Sequence, residues 1–407
     1  LVLFLIIGVF ISSSSTFYRI IILFEMVEEL RISVETLTSM VPARCHRDND
    51  VRINSLQFSP DGFSLLVGSD DDTIRIYDAS SGICNWRVRS DYGVDNVVFT
   101  HSDACCLHTS TTHDDSIRYL CLPHNKYIRF FNAHTKRVVG LNLSPVDDMF
   151  LSWGLDRTLF LWDLRIPDPV GCAHLSCRPL GSFDPEGIIF AIGINSEVVN
   201  LYDLRAYDKG PFNRFFFAKD TSCDWTHMDF SPDGRHILIS TNGTVIRKID
   251  SFSGMLLQTL EGRMNGRGIP IEAQFTPDGR YVFSGSSDGS ICFWNSSDGE
   301  MVLSLEGSHS SVSQFTEFNP RYLMMASACT SLNLWIPSDA FNNPFHLSKI
   351  EDTPANIHDF MLGQQEVRAS HHCGAVWNAV AFLCACDCKH IPKHLFHRDI
   401  SWDVAKC

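Results

Sequence analysis

The sequence predicts an all-β chain closed into a seven-bladed β-propeller, and three observations carry that prediction. Residues 126–165 read as one complete unit of strands and turns. The unit recurs along the chain in steps of about 40–47 residues. A Pro-containing turn recurs in register with it, as SPDG (59–62), SPVDD (144–148), DPEG (184–187), SPDG (231–234) and TPDG (276–279). One such unit cannot bury its own faces, so copies must stack, and a ring of them leaves only short, protected edges.

The unit itself is built as follows. Ala133 and His134 precede a strand in which Val138, Gly140 and Leu143 lead to the Ser144-Pro145 turn. A second strand runs from Met149 to Trp153, a tight turn holds Asp156, and a third strand covers 158–163. Apolar runs punctuated by turn residues read as antiparallel β structure. His134, Ser152, Asp156 and Trp162 are expected to form a structural tetrad. Asp156 can accept from the His134 ring, and the Ser152 hydroxyl can link that ring to the Trp162 indole. Buried polar groups need partners of this kind. These are the residues of a WD40 blade.

Aligned on Trp162, the copies hold Tyr77, Leu120, Trp162, Tyr202, Ile249, Trp294 and Trp335. The turn aspartate six residues earlier is Asp71, Asp114, Asp156 and Asp288, replaced by Ser196, Gly243 and Cys329 elsewhere. No eighth copy is counted. The propeller is expected over 49–338, with 26–48 as an N-terminal segment. The last copy ends near Ile336-Pro337 without an outer strand, so residues 38–45 are expected to close the ring beside Asn333–Trp335. Pro42 is tolerable there because an outer strand is an edge strand.

The flanks carry weaker signals. Residues 1–11 and 20–24 are apolar, but a Ser run and Arg19 divide them, and neither is long enough to span a bilayer. The basic start of a signal peptide is absent. Residues 1–25 are therefore expected to be a non-native or targeting extension, and no membrane contact is expected. Residues 339–407 have lost the repeat and read as an irregular extension. Cys384, Cys386 and Cys388 with His390, His394 and His397 depart from the paired CxxC spacing of structural zinc sites, and no metal is expected.

The formal net charge of −14 argues against direct nucleic-acid binding, which wants a basic surface. Fifteen scattered cysteines without framework spacing read as small buried side chains in a reducing compartment.

Several stretches go beyond what a blade requires. SDYGVDNVVFTH (90–101), the segment 114–148 with HNKYIRFF, 182–212 with DKGPF, and ILISTNG (237–243) closely resemble the WD-repeat-containing protein 82 family. That family is similar to the yeast Swd-type subunit of COMPASS. The resemblance covers about Met26 to Pro337. Departures are Trp153, where the repeat normally has glycine, and the loose match of VPARCHRDND. The resemblance implies a nuclear, non-catalytic scaffold. Its partners would be SET-domain histone H3 lysine methyltransferases and COMPASS-like core subunits. It further implies recruitment to RNA polymerase II through the phosphorylated C-terminal tail, and presence in protein phosphatase 1 and transcription-termination complexes.

The residues alone give a blander reading that is compatible with it. No catalytic constellation or cofactor motif stands out, and tetrad packing accounts for His134 and Asp156. The default is a rigid disc whose rims bind peptides. Lys126, Arg129, Lys136, Arg137 and Arg157 form a candidate phosphopeptide or partner-binding patch, the alternative being an ordinary solvated face. The WDxR box 162–165 and its near copy 202–205 offer a second class of function. Arg165 and Arg205 are candidate adaptor contacts of a cullin–RING ubiquitin ligase substrate receptor.

Overall fold

Among the described residues, seven four-stranded antiparallel sheets stand around one axis, one of them extended by a fifth, parallel strand. The computed structural model describes residues 32–47, 51–218, 223–306, 309 and 311–338, with the backbone of 401–402. Residues 1–25 and the cysteine–histidine set at 384–397 lie outside the described residues.

A short helix, α1 (Val34–Thr38), opens the described chain; Ser33 caps it by accepting from the Thr36 amide. Leu37 is fully buried among Phe283, Phe293 and Leu305, which pins the helix to the sixth blade. Strand β1 (Met40–His46) follows. Blade one holds β2 (Ile53–Phe58), β3 (Ser64–Ser69), β4 (Thr73–Asp78) and β5 (Cys84–Arg89). Blade two holds β6 (Asp95–Phe99), β7 (Cys105–Thr109), β8 (Ile117–Cys121) and β9 (Lys126–Phe131). Blade three holds β10 (Val138–Leu143), β11 (Met149–Gly154), β12 (Thr158–Asp163) and β13 (Gly171–His174). Blade four holds β14 (Leu180–Phe183), β15 (Ile189–Ile194), β16 (Val198–Asp203) and β17 (Asn213–Phe216). Blade five holds β18 (Trp225–Phe230), β19 (His236–Thr241), β20 (Ile246–Asp250) and β21 (Leu256–Leu260). Blade six holds β22 (Ala273–Phe275), β23 (Tyr281–Gly285), β24 (Ile291–Asn295) and β25 (Met301–Leu305). Blade seven holds β26 (Phe315–Phe318), β27 (Met325–Ala328) and β28 (Leu332–Pro337). Its outer strand is β1, paired antiparallel along β28 from Met40 opposite Pro337 to His46 opposite Leu332. The ring thus closes on the N-terminal segment, and Pro42 sits where the register shifts. A two-residue strand, β29 (Ser401–Trp402), runs parallel to β13.

The repeat alignment coincides with the third strand of every blade. Tyr77, Leu120, Trp162, Tyr202, Ile249, Trp294 and Trp335 are all buried, each at the seam between sheets. Trp153 has a local cause. It lies opposite Gly140, where an added Cβ would sit 2.2 Å from its ring, and it packs with Phe183 and Ile192 of the next blade. The bulk missing at Gly140 is supplied by Trp153.

The inner strands are also tied blade to blade. Gln57, Asn142 and Glu317 hold one register position on β2, β10 and β26, two residues before the turn. Each accepts a backbone N–H from the following blade: Gln57 from Phe99 at 2.6 Å, Asn142 from Phe183 at 2.8 Å, Glu317 from Phe58 at 3.1 Å. Burial pushes the Glu317 carboxyl well above its ordinary range; the Phe58 amide pulls it back, and the charges of Glu272 and Asp229 push it further up. A carboxyl raised in this way contributes stability at low pH that is lost as pH rises through its folded value. Glu317→Gln keeps the acceptor, as Gln57 does in blade one, and removes the charge. It should raise stability at pH 7 by about 1 kcal/mol, and the gain should vanish below the ordinary glutamate value of 4.5. Urea unfolding at pH 7 and pH 4 reads this; a loss at pH 7 would contradict it.

Candidate functional site

The turns between second and third strands gather on one face of the ring. In blade three they carry a closed hydrogen-bond relay. The Trp162 indole N–H donates to Ser152 Oγ at 2.8 Å, Ser152 Oγ lies 2.8 Å from His134 Nε2, and His134 Nδ1 lies 2.9 Å from Asp156 Oδ2. An indole can only donate and a carboxylate can only accept, so the protons run one way. That direction puts the ring hydrogen of His134 on Nδ1. The second carboxylate oxygen accepts from the Thr158 amide and hydroxyl, and the Thr135 amide joins His134 on Oδ2. Burial pushes the Asp156 carboxyl up, but these donors outweigh it and hold the carboxyl below its ordinary value. Burial keeps His134 below its ordinary value despite Asp156, so the ring is neutral, as the relay requires.

Blade seven builds the same relay with sulfur. Trp335 Nε1 donates to Ser327 Oγ at 2.7 Å, Ser327 Oγ lies 2.6 Å from His309 Nε2, and His309 Nδ1 lies 3.0 Å from Cys329 Sγ. The Ser331 amide, at 3.3 Å, adds a second donor to the sulfur. Burial raises the Cys329 thiol, but the His309 ring and Ser311 and Ser331 pull it down to about 5. Blade seven therefore places a sulfur acceptor where blade three uses a carboxylate.

Blades one and two replace the imidazole by a guanidinium. Arg75 Nη2 meets Asp71 at 2.9 Å, and Arg118 Nη2 meets Asp114 at 2.6 Å. Arg118 also donates from Nε to Ser110 at 2.7 Å, with its guanidinium carbon 3.4 Å above the Tyr92 ring. In blade six, buried Arg263 donates to Ser284 Oγ and to the carbonyls of Ile271, Thr241 and Gly243. It thereby stitches blade five to blade six.

The structure divides the cation patch that the sequence groups together. Lys136, Arg137 and Arg157 lie on the face of the Asp156 turn, with the Arg137 carbonyl accepting from the Leu155 amide. Lys126 begins β9 at its other end, opposite Cys121, so it belongs to the opposite face. Arg129 donates to the Leu164 carbonyl, beyond the end of β12, and bridges blade two to blade three there. A six-residue strand separates those ends by roughly 17 Å. Arg137 is itself held by Asp95 at 2.6 Å, which leaves Lys136 and Arg157 as exposed cations on this face.

The two box arginines share the opposite face. Arg165 is 68% exposed, but Nε and Nη2 form a fork on Asp163 at 2.9 and 2.7 Å. Asp147 and Asp148 add negative potential around it. Arg205 makes the same fork on Asp203 at 3.1 Å. Each box arginine is thus oriented by its own carboxylate.

Comparison with known proteins accords with this architecture. The family model described as "WD domain, G-beta repeat" matches residues 38–78, 125–163 and 255–295. WD repeat-containing protein 82 of Drosophila melanogaster is 49% identical over 311 residues, 76% of this chain and 98% of that protein. The chain belongs to the WD-repeat-containing protein 82 family. COMPASS component SWD2 of Saccharomyces cerevisiae is 32% identical over 303 residues, 70% of this chain and 90% of that protein. Set1 complex component swd2 of Schizosaccharomyces pombe is 29% identical over 299 residues, 70% of this chain and 82% of that protein.

For this member of the WD-repeat-containing protein 82 family, sequence reasoning missed three supports of the ring. They are the sulfur acceptor Cys329 with His309, the arginines Arg75 and Arg118, and the interblade Arg263. A signal existed for the second: both arginines stand two residues before the aligned third-strand position, in otherwise buried strands. A charge there calls for a partner, and the turn aspartate is the nearest.

Proposed function

We propose that this chain is a non-catalytic scaffold subunit of a nuclear, COMPASS-like histone H3 lysine methyltransferase complex. The observation that carries the reading is the extent of likeness: a named COMPASS component aligns over 90% of its length, across the closed ring. A rigid disc that exposes two faces suits a subunit that holds partners in fixed relation. Its place would be beside a SET-domain methyltransferase and the core subunits. Affinity purification of the full chain from nuclear extract, followed by mass spectrometry, tests this. A SET-domain subunit should be recovered in stoichiometric yield; its absence with a well-folded bait would overturn the reading. Protein phosphatase 1 in the same eluate would extend the reading to that complex.

Recruitment to RNA polymerase II is the finer part of the proposal. Lys136 and Arg157 are exposed and can donate charge-assisted hydrogen bonds to phosphate. The double variant Lys136→Glu/Arg157→Glu should weaken binding of a phosphorylated polymerase-tail peptide at least about tenfold. Equal binding would remove these residues from the contact. Arg165→Ala should leave recovery of the methyltransferase unchanged and alter stability by less than about 0.5 kcal/mol, since an exposed ion pair contributes little. Loss of a cullin–RING adaptor from the eluate of that variant would instead support a ligase substrate receptor.

A further inference from the structure

The opposite face holds an open groove of about 710 Å³ between blades five and six. It is lined by His236, Lys248, Leu257, Gln258, Arg280 and Tyr281, with the backbone turn 295–297 as its far wall. No Asp or Glu lines it, although the chain carries a formal charge of −14.

Lys248 is only 4% exposed and forms the floor. Its Nζ donates to Ser296 O at 2.5 Å and to Ser296 Oγ at 3.0 Å. An ammonium has three N–H donors, so one is left without a partner among the described residues. His236 and Arg280 flank it. Asp233 and Asp278 pair with them at 3.9 Å, within ion-pair but beyond hydrogen-bonding distance; Asp233 also acts on Lys248 and Asp250 on His236, but none of the three lines the groove. Gln258 gives its amide N–H to Ser297 O at 2.7 Å, while its Oε1 is buried without a hydrogen-bond partner among the described residues. The groove thus offers an unused donor on a buried cation and an unused acceptor on its wall. An apolar ledge adjoins them: Leu257 lines the groove at 43% exposure, and Met255, Leu256 and Met301 are exposed on the outer strands and turn beside it.

We propose that this groove is a docking site for a short peptide segment of a partner protein. The segment carries one carboxylate side chain, seated on Lys248, next to apolar residues that cover the Leu256–Leu257 ledge. One free ammonium hydrogen matches one carboxylate, and the lack of acidic lining supplies the charge complementarity. Leaving one of the three Lys248 donors unmade costs more than completing it, which favours an anionic occupant. The site lies on the face opposite Lys136 and Arg157, so its test is independent of the phosphopeptide contact.

The test is selection of a random peptide library displayed on phage against the full chain, with the Lys248→Met and Lys248→Gln variants as parallel baits. Thermal melting of both variants first establishes that they fold. The selected peptides should share an Asp or Glu beside apolar residues. Synthetic copies should bind wild type at least ten times more tightly than either variant, and lose as much when the acid is replaced by its amide. Leu257→Ser should weaken them as well. Selected sequences without an acid, equal binding to wild type and Lys248→Met, or no enrichment over background would each overturn the proposal.

Discussion

Asp156→Ala should destabilise the ring by about 3–5 kcal/mol, because each buried donor left without its acceptor costs about 1–3 kcal/mol. The substitution removes one acceptor group and strands four donors: the His134 ring, the Thr135 amide, and the Thr158 amide and hydroxyl. The relay to Trp162 then loses its terminus. The pH dependence gives a second check. The Asp156 carboxyl is held below its ordinary value of 3.8, so its contribution is present above that value and is lost as pH falls through the folded value. The gap between wild type and variant should be constant from pH 8 to pH 5 and shrink below about pH 4. His134 is also held below its ordinary 6.5, so wild type and variant alike should lose some stability as pH falls past that value. Urea unfolding across this range reads both effects. A variant within about 0.5 kcal/mol of wild type at pH 7 would mean that the relay does not support the blade.

Cys329→Ala should cost about 2 kcal/mol at pH 9, because His309 Nδ1–H and the Ser331 amide lose their acceptor. Here the pH window is different. The thiol is drawn from an ordinary 9.0 to about 5, so its contribution is full above 9.0 and is lost as pH falls toward 5. The cost of Cys329→Ala should therefore be larger at pH 9 than at pH 5.5. Cys329→Asp restores the blade-three arrangement, and should keep stability within about 1 kcal/mol of wild type, flat between those pH values. A pH-dependent rise in thiolate absorbance near pH 5, absent from Cys329→Ala, would report the sulfur directly. If Cys329→Asp unfolds the protein while Cys329→Ala does not, the sulfur is a packing atom and not an acceptor.

These two predictions also mark where sequence reasoning reaches and where it ends. The blade-three tetrad was legible because its residues sit at fixed offsets in a repeat, and repetition converts one guess into seven alignments. Cys329 was legible only as a replacement for the turn aspartate. That it accepts a hydrogen bond depends on His309, which lies 20 residues earlier on a loop the strand pattern does not place. The cation patch failed as a single surface for a related reason. Lys126 and Lys136 are ten residues apart in the chain, yet β9 carries one to each face.

Local patterns thus determined the blade count, the aligned third-strand core and the closing role of the N-terminal segment. Period-2 alternation and turn chemistry act over a few residues, and closure follows from the missing outer strand of the last copy. Only the tertiary structure decided which charges share a face, which are already held, as Arg137 is by Asp95, and which remain exposed, as Lys136 and Arg157 are. Those outcomes depend on contacts between strands far apart in the chain, where burial and distance, not spacing, set the strength of a charge.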